Sequence, residues 1–405
     1  MKSNDARLRV LYLQPSTNFG GAERQATINI AALTRRGFKV IPMVGPGTTI
    51  VDWLHATEGH SVIHTGSFPG GWPKLSGLGR LLLPGRYLRS VLKLRAEIAQ
   101  VIARERIDVV FAAMAISWIA ATPVARAAGV PIVWRAGGTE ASGLELLALR
   151  LWATRHRPDL LICCSWAVQR TFAPHIPAPA VVVPNGVDTA RFRPSAGAPG
   201  SLRPPGMKTV IGFGARLAPQ KRPEDVIRAA ALLAPSYPDV GYLIAGEGSR
   251  RPEYEALARS LGIAHAVRFV GFIPDMRAFY ASVDIMVLPS RSEGCPNVVL
   301  ESMAMRRALV VSDSAGSREV VTDGINGLMF PIGDVEALAG ALRRLLDNPV
   351  MCATLARHGY ERAVGSFDAQ VSAARLAGVL RRQLFHGGAA ASVVAVPSLK
   401  EAART

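Results

Sequence analysis

Two carboxylates eight residues apart mark the segment best equipped for chemistry. In SRSEGCPNVVLESMA, residues 290–304, Glu293 sits in a loop and Glu301 lies inside a helix that Pro296 is expected to open. Proline suits a first helical position because the amide hydrogen it lacks has no partner there. The free N–H groups of that helix start, with the loop around Gly294 and Cys295, would make a nest for an anion. A carboxylate one to two turns into the helix is placed to take paired sugar hydroxyls, and the loop carboxylate would face a cleft. On spacing alone, an ordinary glutamate-rich strand–helix connection explains the segment equally well.

Other chemistries find little support. Cys163, Cys164, Cys295 and Cys352 form no CxxC pair and no Cys/His cluster, so no structural zinc site is expected. Scattered thiols fit a reducing compartment, each as a small buried hydrophobe. The eight histidines are dispersed; His64, near a loop, is the one retained as a candidate, and it is expected to be an exposed loop residue.

Residues in loops need elements to hold them. Short β-branched runs alternate with helical patterns along the whole chain. Strands are predicted at 8–13, 39–43, 109–112, 132–134, 160–163 and 181–183, then at 209–213, 242–245, 267–269, 285–288 and 309–311. Such alternation with apolar strands implies parallel sheets covered on both faces. At 405 residues, 49% of them hydrophobic, the chain exceeds what one core serves. The predicted architecture is α/β, with two doubly wound Rossmann-like domains facing across a cleft. The N-terminal domain spans 1–190, a Pro/Gly/Ser-rich linker 191–206 and the C-terminal domain 207–365. A helix at 366–386 would pack back toward the N-domain, and 387–405 reads as a loose tail. In this architecture ligands bind beyond the carboxyl ends of the strands, so chemistry should come from the loops that follow them.

Resemblance sharpens the reading of the carboxylates. The stretch from Ser290 to Pro331, with its E-x7-E spacing, small-residue turn and DGING, closely resembles the signature of the family-4 retaining glycosyltransferases of the GT-B fold. The likeness extends to FGGAER (19–24), PNGVD (184–188) with Phe192, GARLAPQKRPED (214–225), AGEGSR (245–250) and VRFVGFIPD (267–275). It implies a sugar transfer from a UDP- or GDP-sugar to a lipid-linked or polysaccharide-precursor acceptor. Arg216 and Lys221 match the basic pair that grips the donor diphosphate, where fixed cations stabilise the charge that bond breaking leaves behind. Glu301 would bind the ribose hydroxyls and Glu293 the transferred sugar. Backbone amides around Gly294, Cys295, Pro296 and Asn297 would line the phosphate and sugar site, and Phe272 stands where the base packs. Gly20 and Gly21 open the first helix, where a missing Cβ admits the donor phosphates or the acceptor. The GxG at 246–248 by itself points only to a tight turn.

The chain departs from the family in its N-terminal half. Many relatives carry histidines after the fourth and fifth strands, where this sequence reads FAAMA (111–115) and WRAGG (134–138). Arg135 offers a cation there on the acceptor or sugar side. No DxD pair occurs in the C-domain loops, so no metal is expected, and with the nucleotide sugar as substrate no cofactor is expected either.

The formal charge of +17 leaves three classes of partner open: nucleic acid, an anionic membrane, or phosphorylated small molecules. The stretch 74–106 holds eight Lys/Arg and two Glu, with Leu88, Val91, Leu92, Ile98, Val101 and Ile102 at helical spacing. It reads equally as an interfacial helix on anionic lipid or as core packing with solvated cations. Nucleic acid is not expected as a partner, for there is no aromatic platform, zinc finger or helix-turn-helix signature. A non-catalytic nucleotide-sugar binder on the same fold is the alternative to an enzyme. With no secretory signal pattern and no apolar run near 20 residues, a cytoplasmic protein is expected, peripheral at the inner membrane face if at all.

Overall fold

The computed structural model describes residues 8–15, 20–45, 62–65, 67–68, 83–194 and 202–385. Within it the chain divides into two compact units. One comprises the residues up to Pro184 together with those from Ala369, and the other runs from Asn185 to Asp368.

The first unit contains β1 (Arg9–Gln14), α1 (Gly21–Arg35), β2 (Lys39–Val44), β3 (Ile63–His64), α2 (Leu83–Glu105), β4 (Val109–Ala113) and α3 (Met114–Ala127). It continues through β5 (Ile132–Ala136), α4 (Gly143–Ala153), β6 (Leu160–Cys163), α5 (Trp166–Phe172) and β7 (Ala180–Val182). Its strands form one parallel sheet in the order β3-β2-β1-β4-β5-β6-β7.

The second unit contains β8 (Thr209–Gly214), α6 (Pro223–Leu233), β9 (Val240–Ala245), α7 (Arg251–Ser260), β10 (Val267–Gly271), α8 (Met276–Ala281) and β11 (Ile285–Leu288). After these come α9 (Asn297–Ala304), β12 (Ala308–Ser312), α10 (Ala315–Val320), β13 (Leu328–Phe330), α11 (Val335–Asp347) and α12 (Pro349–Ser366). Its parallel sheet has the order β10-β9-β8-β11-β12-β13. The last described helix, α13 (Ala369–Phe385), returns to the first unit.

Both sheets are buried on both faces, which is why their strands read as apolar runs rather than alternations. In the first unit Val10, Tyr12, Phe111 and Val133 pack against Ile30 and Leu33 of α1 and Leu376 and Leu380 of α13. On the other side of that sheet, Trp134 stacks between Trp118 of α3 (5.0 Å) and Trp152 of α4 (5.6 Å). In the second unit Ile211, Phe213, Ile244 and Val287 are covered by Ile227 and Leu233 of α6 and Leu338 and Leu342 of α11.

The second unit begins before the expected linker. The Val187 amide donates to the Phe367 carbonyl at 2.8 Å and the Thr189 hydroxyl donates to Asp368 at 2.5 Å. Residues 185–190 are thereby tied to the end of α12. Pro296 stands at the N-cap of α9 with extended backbone (φ −74°, ψ 110°), not inside its first turn, so the helix starts at Asn297. On α2, Val91, Ile98, Val101 and Ile102 are buried while Leu88 and Leu92 are exposed, so most of the apolar stripe of 74–106 is core. Residues 74–82 of that stretch, much of the linker, the FGGAER phenylalanine, the tail from 386 and the side chain of His64 lie outside the described residues. Among the described residues no helix is long and apolar enough to cross a membrane.

Candidate active site

The order of the second sheet reverses between β8 and β11, which pair in parallel with Ile211 opposite Ile285. Helices therefore leave these two strands toward opposite faces, and a crevice opens at their carboxyl ends. The loop after β8 carries Arg216 and Lys221, and the loop after β11 carries Glu293.

Three hydrogen bonds join the two loops. Lys221 Nζ donates to Glu293 Oε1 at 2.6 Å, with the side chains only 17% and 9% exposed. Gln220 Nε2 donates to the Ser292 carbonyl at 3.1 Å, and the Arg291 amide donates to the Gln220 carbonyl at 2.8 Å. A charge-assisted contact this short, between side chains so largely removed from water, fixes the geometry of the two loops. The first loop is braced further by Arg222, which adopts left-handed backbone (φ 51°) at the start of α6. Its guanidinium forks onto the wholly buried Asp225 at 2.5 and 2.9 Å. Such strain in a residue with a Cβ persists only when surrounding contacts enforce it, and it gathers at functional sites.

Arg216 is exposed on the same loop as Lys221, which the β9 connection supports. The Leu217 amide donates to the Glu247 carbonyl at 2.9 Å. A Cβ on Gly246 (φ +131°) would lie 1.9 Å from the Ala215 carbonyl oxygen, and one on Gly248 2.3 Å from that of Leu217. The GxG is thus more than a turn: both glycines let one loop close on the backbone that carries Arg216.

The third part is the start of α9. Glu293, Gly294, Cys295 and Pro296 are buried, and the first amides of the helix follow at Asn297. Asn185, from PNGVD, donates its Nδ2 to the Cys295 carbonyl (2.8 Å) and to Asn297 Oδ1 (2.9 Å). From below, α10 approaches so closely that a Cβ on Gly316 would stand 2.3 Å from the carbonyl oxygens of both Glu293 and Gly294. Glu301, 4% exposed, accepts a hydrogen bond from the Tyr280 hydroxyl at 2.7 Å, and Tyr280 packs edge-on against Phe192. Phe272, just past β10, is 47% exposed and so leaves a ring face open for stacking instead of entering the core.

In the first unit the order reverses between β1 and β4. Gly20 caps α1 there: its amide donates to Glu23 Oε2 at 2.8 Å, and Gln14 at the end of β1 donates to Glu23 Oε1 at 3.3 Å. Gly21 is the first helical residue. Met114, in the FAAMA stretch just past β4, holds left-handed backbone (φ 66°). Arg135 is 6% exposed at the end of β5, where its Nη1 donates to the Val183 carbonyl at 3.4 Å.

The structure therefore places Arg216, Lys221, Glu293, Gly294, Cys295, Pro296, Asn297 and Glu301 on the β8 and β11 loops and α9 of the second unit, with Phe272 past the edge strand β10, two strands from β8. Gly20, Gly21 and Arg135 belong to the first unit and lie at different strand ends. Asn185, Gln220, Tyr280, Glu23 and Gly316 escaped the sequence reading. PNGVD pointed at Asn185 without a role, and nothing local marks Tyr280.

Two family models match successive parts of the chain. Residues 19–191 match "Glycosyltransferase Family 4" and residues 198–362 match "Glycosyl transferases group 1". The chain belongs to the family-4 glycosyltransferases. It is 29% identical over 360 residues to the lipopolysaccharide core biosynthesis glycosyltransferase LpsE of Rhizobium meliloti, covering 86% of this chain and 92% of that protein. It is 34% identical over 194 residues to the putative glycosyltransferase EpsD of Bacillus subtilis, a match that spans 46% of this chain and half the length of EpsD. Among solved structures it resembles Anabaena HepE in complex with UDP-glucose, at a TM-score of 0.77 and 22% identity over 92% of this chain and 99% of that one. For this glycosyltransferase that likeness establishes the GT-B fold.

Proposed function

We propose that the protein transfers a sugar, with retention and without a metal ion, from a UDP- or GDP-sugar to a lipid-linked or polysaccharide-precursor acceptor. The observation that carries this reading is the Lys221–Glu293 pair, which joins the loop of Arg216 to the loop that leads into α9. When donor enters, Lys221 turns from Glu293 to the diphosphate and Glu293 is released to the hydroxyls of the transferred sugar. Glu301, oriented by Tyr280, takes the ribose hydroxyls. The bond between the sugar C1 and the phosphate oxygen breaks, and its electron pair leaves on the diphosphate. Arg216 and Lys221 stabilise that charge as it develops. The acceptor hydroxyl attacks from the same face, its proton passing to the departing phosphate oxygen. HepE in its UDP-glucose complex and LpsE in lipopolysaccharide core synthesis support the donor and acceptor classes.

A donor screen that reads nucleotide release, with and without lipid-linked and glycan acceptors and with EDTA present, tests the proposal. Release should need one donor, rise with acceptor and ignore EDTA, and the product anomer should match the donor. Lys221→Ala and Glu301→Ala should each lose roughly a hundredfold or more in turnover while staying folded. If no nucleotide sugar binds, the reading fails.

A further inference from the structure

Helix α4, GLELLALRLWA, is apolar around almost its whole circumference, the pattern of a helix buried on all sides. Only one side is covered. Ala153 is fully buried and Trp152 lies against Trp134, while Leu144, Leu147 and Leu151 on the opposite side are 80%, 51% and 62% exposed. Their spacing of three and four residues sets them in one row, about 10 Å long at 1.5 Å per residue. Isolated surface leucines need no explanation, but a row of three on an ordered helix is a surface that lacks its partner.

The charges around the row indicate the partner. Arg150, Arg155 and Arg157 are all exposed on or just past the helix, and none forms an ion pair among the described residues. The one acid of the helix, Glu145, is turned back onto its N-cap, where the Ser142 amide donates to its Oε2 at 2.7 Å. That hydrogen bond holds its carboxyl below the usual carboxylate range. A leucine row edged by unpaired arginines fits a phase with acyl chains below and phosphates above. A second copy of the chain would bring the same three cations against these.

We propose that α4 lies in the plane of an anionic bilayer, with Leu144, Leu147 and Leu151 in the acyl boundary and Arg150, Arg155 and Arg157 among the lipid phosphates. The membrane-facing element is then α4 and not the stretch 74–106, whose apolar stripe is largely consumed by the core. The inference does not depend on the donor reading, since binding is read without turnover.

The test is co-sedimentation of the full chain with phosphatidylcholine vesicles, with and without phosphatidylglycerol, at low and high salt. The protein should pellet only with the anionic vesicles, and salt should release it. Leu147→Gln/Leu151→Gln should lower the partition coefficient roughly tenfold or more. Arg150→Gln/Arg155→Gln/Arg157→Gln should lower it by a comparable factor and flatten the salt dependence. Both variants should keep the wild-type circular dichroism and melting temperature. The proposal is overturned if the wild type stays in the supernatant, or if folded variants pellet as well as it does. It is also overturned if light scattering shows copies joining through a face that the leucine variant disrupts while vesicles are ignored.

Discussion

At the scale of single residues, the site depends on side chains that hold other side chains. Tyr280 is wholly buried and hydrogen-bonds Glu301, so the carboxylate keeps one oxygen fixed before any ligand arrives. Tyr280→Phe removes the hydroxyl without changing the packing. A hydrogen bond to a charged group contributes about 1.5–3 kcal/mol, so the loss should raise the donor dissociation constant roughly tenfold. Isothermal titration with the donor, alongside a thermal melt, separates that effect from a loss of fold. Cys163 makes the opposite case of a reactive group that does no chemistry. Burial pushes its thiol up to about 12, outweighing the nearby Arg135. The thiolate is therefore absent at neutral pH, and a maleimide should leave Cys163 unlabelled in the native chain but modify it in denaturant, as mass spectrometry of the peptides would show.

Elements meet in this protein through glycines, and the sequence alone does not reveal which glycines matter. Gly316 opens the contact of α10 with the loop of Glu293, where an added methyl would collide with two backbone carbonyls. Gly340, inside α11, has nothing within 4 Å of where its Cβ would stand. Gly316→Ala should cost about 1–3 kcal/mol and depress activity further by displacing Glu293. Gly340→Ala should stabilise the chain by about 0.5–1 kcal/mol through reduced backbone entropy of the unfolded state. Urea unfolding of the two variants against wild type checks both signs at once.

For the whole molecule, the first unit is completed only by the end of the chain. Leu376 and Leu380 of α13 are buried in one cluster with Ile30 and Leu33 of α1 and Val10 and Tyr12 of β1, all far from them in sequence. Leu380→Ala should therefore destabilise the first unit by about 2–5 kcal/mol. The second unit contains no tryptophan, whereas Trp118, Trp134, Trp152 and Trp166 lie in the first, so fluorescence carries no signal from the second unit. The fluorescence transition should move to lower denaturant. A far-ultraviolet transition should then show a later step from the second unit, whose core contains neither leucine.

Fold class and much of the site were legible because they are written in local patterns. Apolar runs spaced by amphipathic segments specify parallel sheets, since strands covered on both faces tolerate no alternation. The acidic pair at 293 and 301 could be read as a candidate site from one loop and one helix. Tertiary structure decided the rest. It placed Lys221 on Glu293 across 72 residues, because β8 and β11 are neighbours only in the folded sheet. It put Tyr280 under Glu301, gave Gly246, Gly248 and Gly316 their necessity through the backbone each one meets, and left the leucine row of α4 in water. Composition marks a side chain as able to be buried, but only packing determines whether another surface is there to bury it.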